Sequence, residues 1–199
     1  MQIKKILILA LFISSINSFA LASFESEEKF VSNFADNAIS ILSNDSLDAS
    51  QKNIQFTELV MSSIDMNLIS KFVLSKYWKL ATDDQKKAYL AAFKQYFISS
   101  YANKLDQYSG EKVIIVSSNA AKKFVIVKSN IVRDGTDTLK IELDWRLLTR
   151  DSQTKIIDLS IEGISLIIAQ REEFQSFLAN NDNSLDALIN KLNLINNKN

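Results

Sequence analysis

Between Lys155 and Phe174 the hydrophobic period of this chain changes from that of a strand to that of a helix with no linker between. Ile157, Leu159 and Ile161 alternate with Asp158, Ser160 and Glu162, the pattern of a strand with one covered face. Beyond Gly163, residues Ile164, Ile167, Ile168, Arg171, Phe174 and Leu178 recur at three- and four-residue spacing, which is a helical face. A strand that feeds straight into an amphipathic helix sets two apolar surfaces opposite each other. The space between them is filled either by side chains or by something the chain carries.

The segments upstream supply the rest of the fold. Phe30, Phe34, Ala38, Ile41 and Leu42 form one helical face, ended by Asn44-Asp45-Ser46. A second helix starts at about Leu47 or Ser50 and carries Phe56, Leu59, Val60, Ser63 and Ile64. Asp65 suits the N-cap of a third, short helix bearing Leu68, Ile69, Phe72, Val73 and Tyr77. Thr82-Asp83-Asp84-Gln85 reads as a capping box, and its acids suit the positive end of a helix dipole. The helix it opens is the longest, with Tyr89, Phe93, Phe97, Tyr101 and Leu105 at i+4 and Gly110 placed to end it.

Strands follow: Lys112 to Ser118, then Lys122 to Arg133, then a hairpin turn at Asp134-Gly135. Leu139, Ile141, Leu143, Trp145 and Leu147 alternate with charged residues, and a turn around Asp151 to Thr154 leads into the fourth strand. A last helix runs from Ser184 to about Leu194. The expectation is an α+β fold: a four-stranded, strongly twisted, mostly antiparallel sheet with helices packed against it. No internal repeat or linker divides it. The second strand is apolar on both faces (Phe124, Ile126 and Val132; Val125, Val127 and Ile131), so both faces are covered or the sheet curls around something.

Residues 1–22 read as a secretory leader rather than as part of that fold. Lys4 and Lys5 precede the apolar run Ile6 to Ile13, and Ala20-Leu21-Ala22 fits a cleavage site before Ser23, with Ser18-Phe19-Ala20 as a second option. The apolar run falls short of the roughly 20 residues a membrane-spanning helix needs, and no lipobox cysteine is present. The expectation is an exported, soluble chain with one binding domain over residues 23–199.

Composition removes several kinds of chemistry. The chain has 23 basic and 23 acidic residues, hence no basic footprint for nucleic acid. It has no cysteine, so no disulfide, and no histidine, the commonest general base and metal ligand. The absence of proline and the abundance of Ile, Lys, Asn and Ser read most simply as a coding bias. Nucleophile elbows, phosphate loops and dinucleotide fingerprints are missing. Ser70-Lys71 and Ser75-Lys76 are adjacent on helices, where neighbouring side chains diverge. Asp83-Asp84 and Glu172-Glu173 read as solvated or helix-terminal charges. A hydrolase built on carboxylates alone would need two acids brought together by folding; apart from that alternative, no metal, cofactor or catalytic residue is expected.

The aromatic and aliphatic supply is the better lead. Phe93, Phe97 and Tyr101 on one helix stand opposite Trp145 and the Ile/Leu faces of the strands, as an ordinary packed core or as the wall of a pocket. Arg171 lies within the apolar stripe of its helix. It is a snorkelling stem or salt-bridge partner, or a cation at a cavity mouth near an anionic head group.

At these residues a family resemblance enters. Phe72-Val73-Leu74, Tyr77-Trp78-Lys79, Ala81-Thr82-x-x-Gln85 and Phe93 … Tyr101-Ala102 … Leu105 … Tyr108 resemble the MlaC (toluene-tolerance, auxiliary component) family of periplasmic phospholipid-binding proteins. So do Asp158-x-x-Ile161-Glu162-Gly163-Ile164-Ser165-Leu166, with Arg171 and Phe174 beyond, and the closing Leu185-Asp186-Ala187-Leu188-Ile189-x-x-Leu192. Where members often carry Trp-Lys and a Tyr before the last strand's Asp, this chain has Thr154-Lys155 and Ile157. The likeness runs from about Glu25 to Leu192.

The resemblance implies that the fold encloses a deep apolar pocket for phospholipid acyl chains, in a non-enzymatic, monomeric carrier that shuttles phospholipid through the periplasm and so maintains outer-membrane lipid asymmetry. Its partners would be an outer-membrane lipoprotein complex and the lipid-binding ring subunit of an inner-membrane ABC transporter. A diacyl lipid has about 30 chain carbons, and at about 0.8 kcal/mol per methylene, leaving the bilayer unaided costs on the order of 20 kcal/mol. A carrier must therefore shield the chains, while the head group can stay in water. The expected lipid-binding residues are Phe93, Phe97, Tyr101, Val125, Val127, Leu139, Ile141, Leu143, Trp145, Ile157, Leu159, Ile161, Ile164, Ile168 and Arg171. The alternative is an exported assembly or binding factor with a solid core that acts through protein contacts.

Overall fold

A computed structural model describes residues 23–102, 110–133 and 140–197. Five helices come first: α1 (Glu25–Leu42), α2 (Ala49–Ser63), α3 (Met66–Leu74), α4 (Lys76–Leu80) and α5 (Asp83–Ala102). Strands β1 (Glu111–Ala121), β2 (Phe124–Arg133), β3 (Lys140–Arg150), β4 (Gln153–Ile161) and β5 (Ile164–Ser165) follow, and α6 (Leu166–Ala179) and α7 (Leu185–Asn196) close the chain. The proposed leader, the Asp134-Gly135 turn, Leu105, Tyr108, Leu139 and the side chain of Tyr101 lie outside the described residues.

Helix starts are set by short polar side chains. Asp48 and Gln51 form a reciprocal capping box before α2, and the Asp65 carboxylate accepts the Leu68 N–H at the start of α3. Thr82 and Gln85 satisfy each other's backbone N–H groups, as their spacing predicts. The third helix is shorter than its apolar spacing suggests. Ser75 takes a positive φ of 57°, which ends α3 and leaves Tyr77 on the separate α4.

The sheet is an antiparallel meander in the order β1-β2-β3-β4-β5, five strands rather than four. The extra strand corrects the reading of the Gly163 corner. Glu162 (φ 50°) and Gly163 (φ 78°) are the two central residues of a tight hairpin turn, and Ile164 pairs with Ile161. Ile164 therefore belongs to β5, is 65% exposed, and is not on the helix. Helix α6 starts two residues later, with Ser165 as its N-cap. Bulges between Ile115 and Ser117 and between Arg146 and Leu147 add local right-handed twist.

Cross-strand pairing puts Val125, Val127, Ser129 and Ile131 on one face with Leu147, Trp145, Leu143 and Ile141. Leu159 and Ile161 extend that face along β4. Helix α1 packs on β1 and β2, and α2 touches β4. The opposite face of β2 is covered less: Phe124, Ile126 and Val132 are half-buried, while Val127 is fully buried. A second packing centre lies among the helices. Tyr89 and Phe93 of α5, Phe174 and Leu178 of α6, and Leu188 and Leu192 of α7 are all buried there.

Candidate functional site

A cavity of about 370 Å³ lies between the sheet and the first two helices. Helix α1 contributes Phe34, Ala35, Ala38, Ile39 and Leu42, and α2 contributes Phe56 and Val60. Ile64, Ile69, Phe97, Leu166 and Ile167 border it from the other helices and the α2–α3 junction. Val113, Ile131, Leu143, Trp145, Ile156, Leu159 and Ile161 form the sheet side. The alternation that puts these strand residues on one face, and the alanines that leave α1 narrow on its inner side, together create the space.

Two polar groups border this apolar wall, and both are satisfied. The indole N–H of Trp145 donates to Ser129 Oγ at 2.8 Å, and its ring meets Phe34 edge-on at 5.6 Å between centroids. Asp158 is buried, but its oxygens accept from the Ser165 hydroxyl at 2.7 Å and the Ile167 N–H at 3.3 Å. Arg146 Nη1 lies 3.9 Å from the same carboxylate. Asp158 thereby ties β4 to the start of α6, and nothing in this geometry activates a nucleophile or a water. Among the described residues no group of His, Cys, Asp or Glu could hold a metal ion, and no helix is long and apolar enough to cross a membrane.

What the cavity can do is hold hydrocarbon. Its volume lies at the lower end of the roughly 300–1,000 Å³ range of ligand pockets. Apolar cavities of even about 150 Å³ stay dry and take up apolar ligands.

Of the residues expected to bind lipid, the structure brings Phe97, Leu143, Trp145, Leu159 and Ile161 together around the cavity. Val125 and Ile141 share the sheet face and are half-buried against the core without bordering the hollow. Phe93 and Val127 are wholly buried in packed core; Phe93 stacks on Tyr89 at 5.6 Å and meets Phe174 edge-on at 5.9 Å. The bulge in β4 turns Ile157 away, and with Ile168 it lines a smaller groove instead. Arg171 lays its guanidinium over the Phe72 ring at 5.0 Å, away from the main cavity. Ile164 is exposed, and Tyr101 and Leu139 have no described side chains.

Helices α1 and α2, whose apolar spacing predicts only amphipathic helices, form one whole side of the cavity. The available signal was Ala35 and Ala38 beside Phe34 and Leu42: small residues on an apolar face leave room next to large ones.

Comparison with known proteins bears on this cavity. The family model described as "MlaC protein" matches residues 32–194. The intermembrane phospholipid transport system binding protein MlaC of Haemophilus influenzae is 23% identical over 132 residues, which is 65% of this chain. The chain spans 61% of that relative's length. A phospholipid-binding protein from Ralstonia solanacearum, solved in complex with a phospholipid, superposes with a TM-score of 0.73 at 20% identity. The superposition covers 85% of this chain and 96% of the other, a likeness of fold.

Proposed function

This chain belongs to the MlaC family, and from that premise we propose that it is a soluble phospholipid carrier. The family is one of lipid-binding transport proteins and not of enzymes. The observation that carries the proposal is the apolar cavity between α1, α2 and the sheet, with polar neighbours already paired. Acyl chains enter that space, and the head group stays toward water. The Haemophilus relative is named for intermembrane phospholipid transport, and the Ralstonia protein was solved with a phospholipid. Both support the same cargo here.

The finer parts of the reading follow from that role. The chain acts in the periplasm as a monomer after loss of residues 1–22, leaving residues 23–199 as one binding domain. It collects or delivers lipid at an outer-membrane lipoprotein complex and at the lipid-binding ring of an inner-membrane ABC transporter, so maintaining lipid asymmetry. Transfer requires the cavity to open at each complex, because a carrier with one fixed affinity would hold its cargo equally at both ends. Leu143, Trp145, Leu159, Ile161 and Phe97 line the acyl-chain site, and α1 and α2 close its other side. Phe93, Val125, Val127, Ile141, Ile157, Ile164, Ile168 and Arg171 act behind that wall or outside it.

Native mass spectrometry of gently purified protein, before and after incubation with phospholipid vesicles, tests this. Phospholipid adducts are expected in both samples. A clean apo mass in both would overturn the carrier reading and leave a solid-core binding factor.

A further inference from the structure

A second hollow, of about 230 Å³, lies across a partition of Ile69, Asp158 and Ile167, residues that border both spaces. Its floor is apolar: Phe72 of α3, Phe124 of β2, Ile157 of β4 and Ile168 of α6. Phe72 and Ile168, each 43% exposed, lie on this one floor together. Its charge separates it from the main cavity. Lys123, in the β1–β2 turn, and Arg146 of β3 both line it. Arg171, lying over Phe72, puts a third cation beside the same floor.

Three cations face a single carboxylate here. Asp158 is the one carboxylate among the lining residues described; Arg146 Nη1 lies 3.9 Å from it, and its oxygens also accept from the Ser165 hydroxyl and the Ile167 N–H, which leaves Lys123 and Arg171 in excess. Lys123 makes a contact with the Phe124 ring, at 5.3 Å, rather than with an acid. A groove with an apolar floor and an under-neutralised cationic rim has a definite chemical complement.

We propose that this groove is a second binding site, for an amphiphilic anion: a phosphate or carboxylate carrying a short hydrocarbon portion. The anion meets Arg146 and Lys123, and the hydrocarbon covers Phe72, Phe124 and Ile168. Because Ile69 and Ile167 border both spaces, filling the groove presses on the wall of the main cavity. The site stands on its own lining and does not require the main cavity to carry lipid.

Methyl NMR of the purified, delipidated protein labelled at isoleucine tests the proposal, since Ile157 and Ile168 report the groove and Ile39, Ile131 and Ile161 the main cavity. Octyl phosphate is expected to shift Ile157 and Ile168 saturably. Octanol and inorganic phosphate, each carrying half of the chemistry, are expected to leave them nearly unmoved. Lys123→Gln with Arg146→Gln should weaken octyl phosphate about tenfold or more, the scale of lost charge-assisted hydrogen bonds. Lys123→Gln alone, at an exposed turn, should weaken it less without touching the fold. Shifts confined to the main-cavity isoleucines, equal binding of octanol, or undiminished affinity in both variants would overturn the site.

Protein preloaded from phosphatidylglycerol vesicles then identifies the source of the anion. A groove closed to octyl phosphate after loading makes its occupant the head group of the carried lipid. A groove still open makes it a separate single-chain anion. Either result upholds the site. Octyl phosphate binding in protein that takes no lipid from vesicles would uphold the groove while overturning the carrier.

Discussion

Two regions of this molecule are built from the same side chains and end in opposite states. Around Phe93 the space between α5, α6 and α7 is full: Tyr89, Phe174, Leu178, Leu188 and Leu192 are almost wholly removed from water. One helical turn further along α5, Phe97 borders a cavity of about 370 Å³. The two rings are 6.3 Å apart. The difference lies in what faces them. The full region is closed by three helices whose bulky residues interdigitate. The hollow one lies between the sheet and a helix whose inner face carries the small residues Ala35 and Ala38.

The comparison is broken most directly at Phe93. Phe93→Ala opens a hole in packed core and should cost about 3–5 kcal/mol, measured by urea unfolding. A loss under about 1 kcal/mol would mean that the helical core is not the full region described. Alkaline titration probes the same core. The Tyr89 hydroxyl donates to the Ser70 carbonyl oxygen at 3.1 Å, and burial raises its pKa far above the ordinary 10.0. Burial also raises that of Tyr96, with the nearby Glu173 charge adding to it. Both groups fold as neutral phenols, so their contribution is complete below about pH 10, where the unfolded phenol titrates, and fades above it. The urea midpoint should therefore fall above pH 10, and less steeply in Tyr89→Phe than in the parent chain.

Smaller effects sharpen the boundary of the hollow region. Gly163→Ala places a side chain at φ 78° with no atom within 4 Å of the added carbon. Its cost, about 1 kcal/mol, is conformational strain alone and should appear as a small shift of the thermal midpoint with lipid content unchanged. Ala38→Phe should do the reverse. Filling space beside α1 should leave the unfolding free energy within about 1 kcal/mol of the parent or raise it, while native mass spectra show several-fold less bound phospholipid. A variant that unfolds instead would show that α1 is packed as tightly as the region around Phe93.

How far the site could be read in advance differed from element to element. The alternation of Leu143, Trp145 and Leu147 placed those residues on one sheet face, because the strand period is local and survives any packing. Ile157 defeated the same logic, since a bulge opposite Arg146 and Leu147 shifts the phase of β4 at that residue. Ile164 defeated the helix period because Glu162 and Gly163 turn the chain into a fifth strand before α6 begins. A two-residue strand has too few residues to show a period.

The sequence by itself determined the long helices and the first four strands, the capping at Asp65 and Thr82, the meander and the absence of histidine and cysteine chemistry. Each follows from residues within a few positions of one another or from composition. Only the tertiary structure decided which apolar faces meet solid protein and which meet a hollow, why Phe93 is core and Phe97 is wall, and that Arg171 rests on Phe72 beside a second groove. Periodicity states that a face is covered. What covers it is set by elements far away in the chain, whose approach is limited by the size of residues such as Ala35 and Ala38.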